Sequence, residues 1–256
     1  MQALSPFGEK LRAWRKRRGL SQLDLSVEAG TTPRYISFVE TGRSRPGRDL
    51  VLRLAEALQL SLQDRNALLM AAGFPVVYTE HTLDHEALAP VRAIIERVLD
   101  KHDPYPAFAF APGLRLLRAN TTAERLFPGM TQLEPTQLVA AWCSPTPGVP
   151  EEQGRRDAYQ VVEMLRHELA HHPHPDIPAL LAQAESMARE LGPRPEPSVE
   201  DEEVVICSKL VIDDREVRML GTVLRFDKPT DITVANLRVE LLFPADDESE
   251  RFFRDP

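Results

Sequence analysis

Cysteine is scarce in this chain: two residues in 256, Cys143 and Cys207, far apart and in no CxxC pair. That scarcity excludes a disulfide framework and a zinc ribbon, and fits a reducing compartment. Ordinary buried packing accounts for both thiols better than a regulatory role does. No apolar run is long enough to span a bilayer and no amino-terminal leader pattern is visible, so the expected setting is the cytoplasm, with no membrane partner. No internal repeat appears. Net positive charge, the usual mark of a nucleic-acid ligand, is missing from the whole, which stands at −8.

Taken by region, the charge divides sharply. Residues 1–77 carry 12 Lys and Arg against 7 Asp and Glu, a net of +5, whereas the remaining 19 and 32 leave −13. Only the first quarter suits a polyanion, and a chain of this length has room for two domains. Within that quarter, Ser21 with Asp24 three residues on reads as a capping box opening one short helix. Gly30 stops it, and Thr32 followed by Pro33 opens a second, an oxygen-bearing cap before a residue whose missing N–H costs nothing at the first position. Leu25, Ala29, Ile36 and Val39 then share a core, small Ser26 and Ala29 permit close approach, and Gln22, Arg34, Tyr35, Ser37 and Phe38 remain outside. Phe7, Leu11 and Trp14 at helical spacing read as core. Lys16, Arg17, Arg18, Arg43, Arg45 and Arg48 bracket the helix pair, where they can neutralise phosphates.

The stretches LRAWRKRRGLSQ (11–22), YISFVETGRSRP (35–46) and LVLRLAEALQL (50–60) resemble the lambda-repressor-like, XRE-type regulators over roughly residues 7–70. The resemblance implies that the second helix of the pair lies in the DNA major groove, with Thr32, Pro33, Arg34, Tyr35 and Phe38 facing bases or nearby phosphates and Gln22 touching the backbone. It also implies that Arg15 and Glu40 form a largely buried ion pair. Arg34 offers two parallel donors to guanine O6 and N7, and Phe38 or Tyr35 could pack on a thymine methyl. The alternative for Tyr35 and Phe38 is a core or dimer contact.

After a junction near Tyr78–Leu83, residues 84–102 read as a helix with Leu88, Val91, Ile95, Val98 and Leu99 as its apolar stripe. PAFAFAP and LRLLRA, joined at Pro112-Gly113, read as a hairpin, and Asn120-Thr121 caps a short helix through Phe127. More helix follows. The Pro-rich acidic stretch 193–203 reads as an exposed loop, and VVICSKLVI, EVRMLGTVLRF and LRVELLF as three closing strands, the first two joined at Asp213-Asp214. Two strands, a helical insert and three strands is the order of a PAS-like sensor. Leu83–Phe127 with Leu237–Glu248 resembles the MmyB-like regulators, which join an XRE-type domain to a PAS-like domain that held a fatty acid in one member. The fold class expected is therefore an all-α helix-turn-helix DNA-binding domain over 1–77, followed over 78–256 by an α+β PAS-like domain with a five-stranded antiparallel sheet and helices.

An apolar ligand pocket is plausible from composition, with Phe108, Phe110, Leu117, Leu126, Phe127, Trp142, Ile206, Leu224 and Phe226 as candidate walls, although the same residues could pack solid. One motif points to a different class: His167-Glu168-Leu169-Ala170-His171 is a literal HExxH, with His174, Asp176 or Glu185 as conceivable third zinc ligands. At about 100° per residue the two histidines fall opposite the stripe Ala158, Val161, Val162, Leu165 and Leu169, which turns them to solvent rather than into a cleft. The expectation is a homodimeric, ligand-responsive, non-enzymatic transcriptional regulator without metal or cofactor, bound to an inverted-repeat operator. The alternatives are a zinc peptidase fused to a helix-turn-helix, and a DNA-binding protein with a ligand-free dimerisation or docking domain.

Overall fold

The computed structural model describes residues 5–145, 149–171, 174–196, 207–212 and 215–254. Two compact units emerge, one of residues 1–81 with 228–235 and one of 82–227 with 236–256.

The first unit begins with five helices: α1 Pro6–Arg17, α2 Gln22–Glu28, α3 Pro33–Glu40, α4 Arg48–Ala57 and α5 Leu62–Ala71. The caps read from the sequence are formed. Ser21 Oγ accepts from Asp24 N while the Asp24 carboxylate accepts from Ser21 N, and Thr32 Oγ1 accepts from Tyr35 N ahead of Pro33. Gly30, at φ +61°, makes the turn between α2 and α3, a conformation that side chains with a Cβ avoid. Leu11, Leu25, Ala29, Ile36, Val39, Leu54, Leu68 and Leu69 are wholly buried together, with Phe7 beside them and Trp14 partly covered at the margin. Each large side chain so buried contributes about 1.5–3 kcal/mol.

Where α1 meets the end of α3 the approach is tight: a Cβ on Gly8 would run into Glu40 O and lie 2.8 Å from Val39 O. Backbone cannot yield as a flexible side chain can. Gly8→Ala is therefore expected to destabilise the protein by about 1–3 kcal/mol, the usual cost of overpacking, and a thermal melt of the variant checks it.

The segment after α5 is fixed by side chains on both sides. Asn66 Oδ1 accepts from Val77 N and Tyr78 N and its Nδ2 donates to Tyr78 O, so one amide replaces a missing strand partner. From the far end of the chain, Asp231 caps the short helix α11 (Ile232–Asn236) through Thr233 N and Val234 N and also accepts from Thr79 Oγ1, His81 N and His81 Nδ1. Burial opposes the Asp231 charge, but the hydrogen bonds from His81, Thr79 and Val234 outweigh it and hold its carboxyl pKa below the ordinary value. A lowered native pKa stabilises the fold fully above the unfolded carboxylate value, about 3.9, and is lost as pH falls through the lower native one. Amide exchange at His81, Thr233 and Val234 is expected to speed up over that acid window, and in Asp231→Ala at neutral pH as well.

In the second unit, a 3-10 turn at Glu86–Leu88 leads into α6 Ala89–His102, so the single helix expected over 84–102 starts with a tighter turn. Strands β1 Ala107–Ala111, β2 Arg115–Ala119, β3 Cys207–Ile212, β4 Arg215–Leu224 and β5 Arg238–Pro244 form one five-stranded antiparallel sheet in the order β2-β1-β5-β4-β3. This is the sheet that the sequence led us to expect. The joint at Asp213-Asp214 and residues 197–203 of the acidic loop lie outside the described residues.

Side-chain alternation on β1 decides what covers each face. Ala107 and Ala109 lie with Val239 and Leu241 against Ile95 and Leu99 of α6, where small residues let the helix settle close. Phe108 and Phe110 point the other way, into a cluster with Leu116, Ala123 and Leu138. The helices α7 Thr121–Leu126 and α8 Pro135–Cys143 belong to that side, and α8 also packs with α9 Glu151–His171 and α10 Ile177–Leu191 through Val139, Ala158, Val162, Leu165, Ile177 and Leu180. Asn120 caps α7 as expected, and its side chain bonds as well to Ala107 N, Asp103 Oδ1 and Tyr105 O. A last helix, α12 Asp247–Arg254, follows β5 and was not anticipated. Its signal was present in the sequence: Asp246 caps Ser249 N, acidic residues fill the first turn and Arg251 and Arg254 the last.

Candidate DNA-reading surface and ligand-domain interior

The DNA-reading candidates sit on a rigid base. Arg15 Nε and Nη2 donate to the two oxygens of Glu40 at 2.6 and 2.9 Å, with side chains 11% and 3% exposed. Hydrogen bonding to Glu40 raises the Arg15 pKa, against a smaller opposing effect of burial. This two-pronged pair locks α1 to the end of α3. Gln22 Nε2 donates to Glu40 Oε2 at 2.9 Å, so the side chain expected to touch a DNA backbone is already oriented by the pair.

On α3, Thr32, Pro33 and Arg34 are exposed, Tyr35, Ser37 and Phe38 half-buried, and Ile36, Val39 and Glu40 buried. One face is thereby left outward, with the Arg34 guanidinium 5.2 Å over the Phe38 ring. That stacking limits where Arg34 points without consuming its hydrogen-bond donors. The Tyr35 ring packs on the core while its hydroxyl donates to Arg45 O at 3.2 Å. Tyr35 thus steadies the loop that carries Arg43 and Arg45. Among the described residues Arg34, Arg43, Arg45 and Arg48 have no acidic partner, and all four are exposed. Free guanidinium groups around an outward helix face suit phosphate contact.

The candidate ligand walls divide. Phe108, Phe110, Phe127 and Trp142 gather on one face of the sheet, Phe110 edge-on to Trp142 at 6.3 Å between ring centres and Phe108 at 6.0 Å from Phe127. Leu117 and Phe226 pack on the other face, with α6. Leu126 joins a third cluster with Val217, Met219 and Phe253, and Leu224 is 45% exposed. Ile206 lies outside the described residues. Strand alternation explains the division: Leu116 and Leu117 are neighbours in sequence and face opposite ways.

In the HExxH segment, His167 and His171 are exposed and stacked at 4.1 Å, with His171 Nδ1 2.9 Å from His167 O. Glu168 turns inward instead, to Arg238 at 3.1 Å and Arg225 at 3.5 Å. Of the conceivable third ligands, Glu185 pairs with Arg166 at 2.8 Å, and His174 Nδ1 accepts from Asp176 N at 3.3 Å. No group of three or more metal-ligating side chains gathers among the described residues. Cys143 is buried, and desolvation raises its thiol pKa to about 11, which leaves it as packing rather than a nucleophile. Cys207 belongs to β3. No helix among the described residues is long and apolar enough to cross a membrane.

The chain carries a helix-turn-helix and a sheet-and-helix unit, and the family matches make it a DNA-binding transcription regulator with a ligand-binding domain. Residues 11–64 match a helix-turn-helix family, and residues 91–255 match the MmyB-like transcription regulator ligand binding domain. The second match spans well over half of the chain, which belongs to that family of MmyB-like transcription regulators. Solved structures similar to it include the restriction-modification controller protein C.AhdI from Aeromonas hydrophila, 33% identical over 24% of this chain and 92% of that one, with a TM-score of 0.23. The clp gene regulator ClgR from C. glutamicum is 28% identical over 27% of this chain and 86% of that one, with a TM-score of 0.24. The search of curated proteins returned no match.

Proposed function

We propose that the protein is a cytoplasmic one-component regulator, in which residues 1–77 read DNA and residues 78–256 form a PAS-like domain that binds a small apolar, acyl-like molecule. The reader docks as half of a homodimer on an inverted repeat, with half-sites about one helical turn, roughly 34 Å, apart. Thr32, Pro33, Arg34, Tyr35, Ser37 and Phe38 face the major groove, Gln22 and the Arg43–Arg45 loop the phosphates. The observation that carries this reading is the outward face of α3, presented on a closed core, with Arg34 and Arg43 lacking an acidic partner among the described residues. Ligand binding alters the operator affinity through different affinities for two states of the protein.

Solvent extraction of the purified full-length chain followed by mass spectrometry tests the sensor half. A co-purifying acyl compound at near-stoichiometric level is the expected result. A second reading has an observation of its own, since Phe108, Phe110, Phe127 and Trp142 fill space against one another. A ligand-free docking module is the reading that an empty extract and no binding of added acyl compounds would favour.

A further inference from the structure

One face of the sheet carries charge where the interior around it is apolar. Strand pairing sets Phe110 of β1 beside Arg238 of β5 and Phe108 beside Glu240, and Val223 of β4 pairs with Glu240 from the other side. Paired residues point to the same face, so these five share one surface. The Arg238 guanidinium stands 4.9 Å over the Phe110 ring, at the edge of the aromatic cluster. Its Nη1 donates to Glu168 Oε2 at 3.1 Å, and Nη2 lies 3.1 Å from Glu240 Oε1 without the alignment of a hydrogen bond. Arg225, just past the end of β4, reaches the same Glu168 carboxylate from Nη2 at 3.5 Å.

Two donors are left over. Arg225 Nη1 and Arg238 Nη2 are buried, and no acceptor among the described residues takes a hydrogen bond from either. The Arg238 side chain is only 6% exposed and that of Arg225 27%. A buried guanidinium N–H without an acceptor forfeits its hydration, and native interiors seldom tolerate that. Burial pushes the Glu240 carboxyl pKa up and Glu168 adds to the push, against Arg238 and Arg225, while burial also lowers the Arg225 pKa. Glu168 is shared between the two arginines, and the two leftover donors stay without a hydrogen-bond acceptor on this face.

Resting on the reading of this unit as a sensor of apolar ligands, we propose that Arg225 and Arg238 are its anion-binding end. They take the carboxylate of an amphipathic acid whose tail lies along Phe108, Phe110 and Val223. A carboxylate supplies two coplanar oxygens to guanidinium donors and a single negative charge. Val223, 51% exposed on the same face, leaves an apolar approach beside the charges. Glu168, the glutamate of the HExxH segment, acts here as the partner that holds the two arginines together.

The test is calorimetric titration of the delipidated full-length chain with dodecanoate, dodecanol and acetate. Dodecanoate is expected to bind about tenfold or more tightly than dodecanol, and acetate far more weakly than either. In Arg225→Gln that preference closes through weaker dodecanoate binding. Arg225→Lys, which keeps the charge but not the fork, loses part of it, and a melt of each ligand-free variant reports its fold. Dodecanol binding as tightly as dodecanoate, or an unaltered preference in a folded Arg225→Gln, overturns the anchor while leaving the sensor reading intact. Acetate binding as tightly as dodecanoate reduces the site to one for small anions and overturns the amphiphile. Failure of both long-chain probes to bind overturns the sensor reading and the anchor with it.

Discussion

Glu40→Ala is expected to cost about 3–5 kcal/mol of stability, a large share of the roughly 5–15 kcal/mol that a folded domain typically has. The effect comes from what is left behind rather than from the attraction lost. Arg15 is buried, and without Glu40 two of its guanidinium nitrogens lose their acceptors while the charge stays out of water. Its remaining bond, from Nη1 to Leu20 O, offsets only part of that loss. Gln22 loses its anchor in the same step. Replacing both partners by a well-fitting apolar pair, Arg15→Met with Glu40→Leu, is expected to recover most of the stability, because no buried charge is then stranded. Urea unfolding of the single and double variants checks both statements.

The second large effect concerns DNA. Arg34→Ala is expected to weaken operator binding by about 1–3 kcal/mol and to relax the preference at one base pair, as loss of a two-pronged guanine contact does. Arg43→Ala is expected to weaken all sequences alike and to reduce the slope of affinity against salt by about one unit. The two variants separate base reading from phosphate contact. Arg34 is exposed and, among the described residues, stacks on Phe38 without an ion pair, so its removal leaves the fold in place. Competition titrations at several salt concentrations, on operator and scrambled duplexes, give both quantities. Operator binding by Arg34→Ala equal to wild type would remove the role given to that side chain.

The first unit was legible because its information is local. Ser21, Asp24, Gly30, Thr32 and Pro33 each act within four residues, and caps and turns depend on little else. Leu25, Ala29, Ile36 and Val39 are all fully buried, since one helical period fixes which side they take. The five strands were also visible as alternating apolar runs. The interior of the second unit was not, because it depends on pairings between distant residues. The register between β1 and β5 that puts Arg238 on Phe110 joins positions far apart in the chain, and no local pattern specifies it. For the same reason Leu117 and Phe226 were grouped with Phe108 although they face the opposite side. Asp231 was missed because its partners Thr79 and His81 lie about 150 residues away, although Thr233 and Val234 marked it as a helix cap. The HExxH spacing illustrates the converse: a local motif is present, yet Glu168 is occupied by arginines brought in by the sheet.

The central claim is that occupancy of the second unit sets how tightly the first binds its operator. Operator affinity of the full-length chain, measured by fluorescence anisotropy on one selected duplex with the protein delipidated and then saturated with dodecanoate, tests it most directly. A change of roughly 5–150-fold is predicted, the usual range of coupling between two sites. Equal affinities in the two states, with dodecanoate shown to be bound, would contradict it.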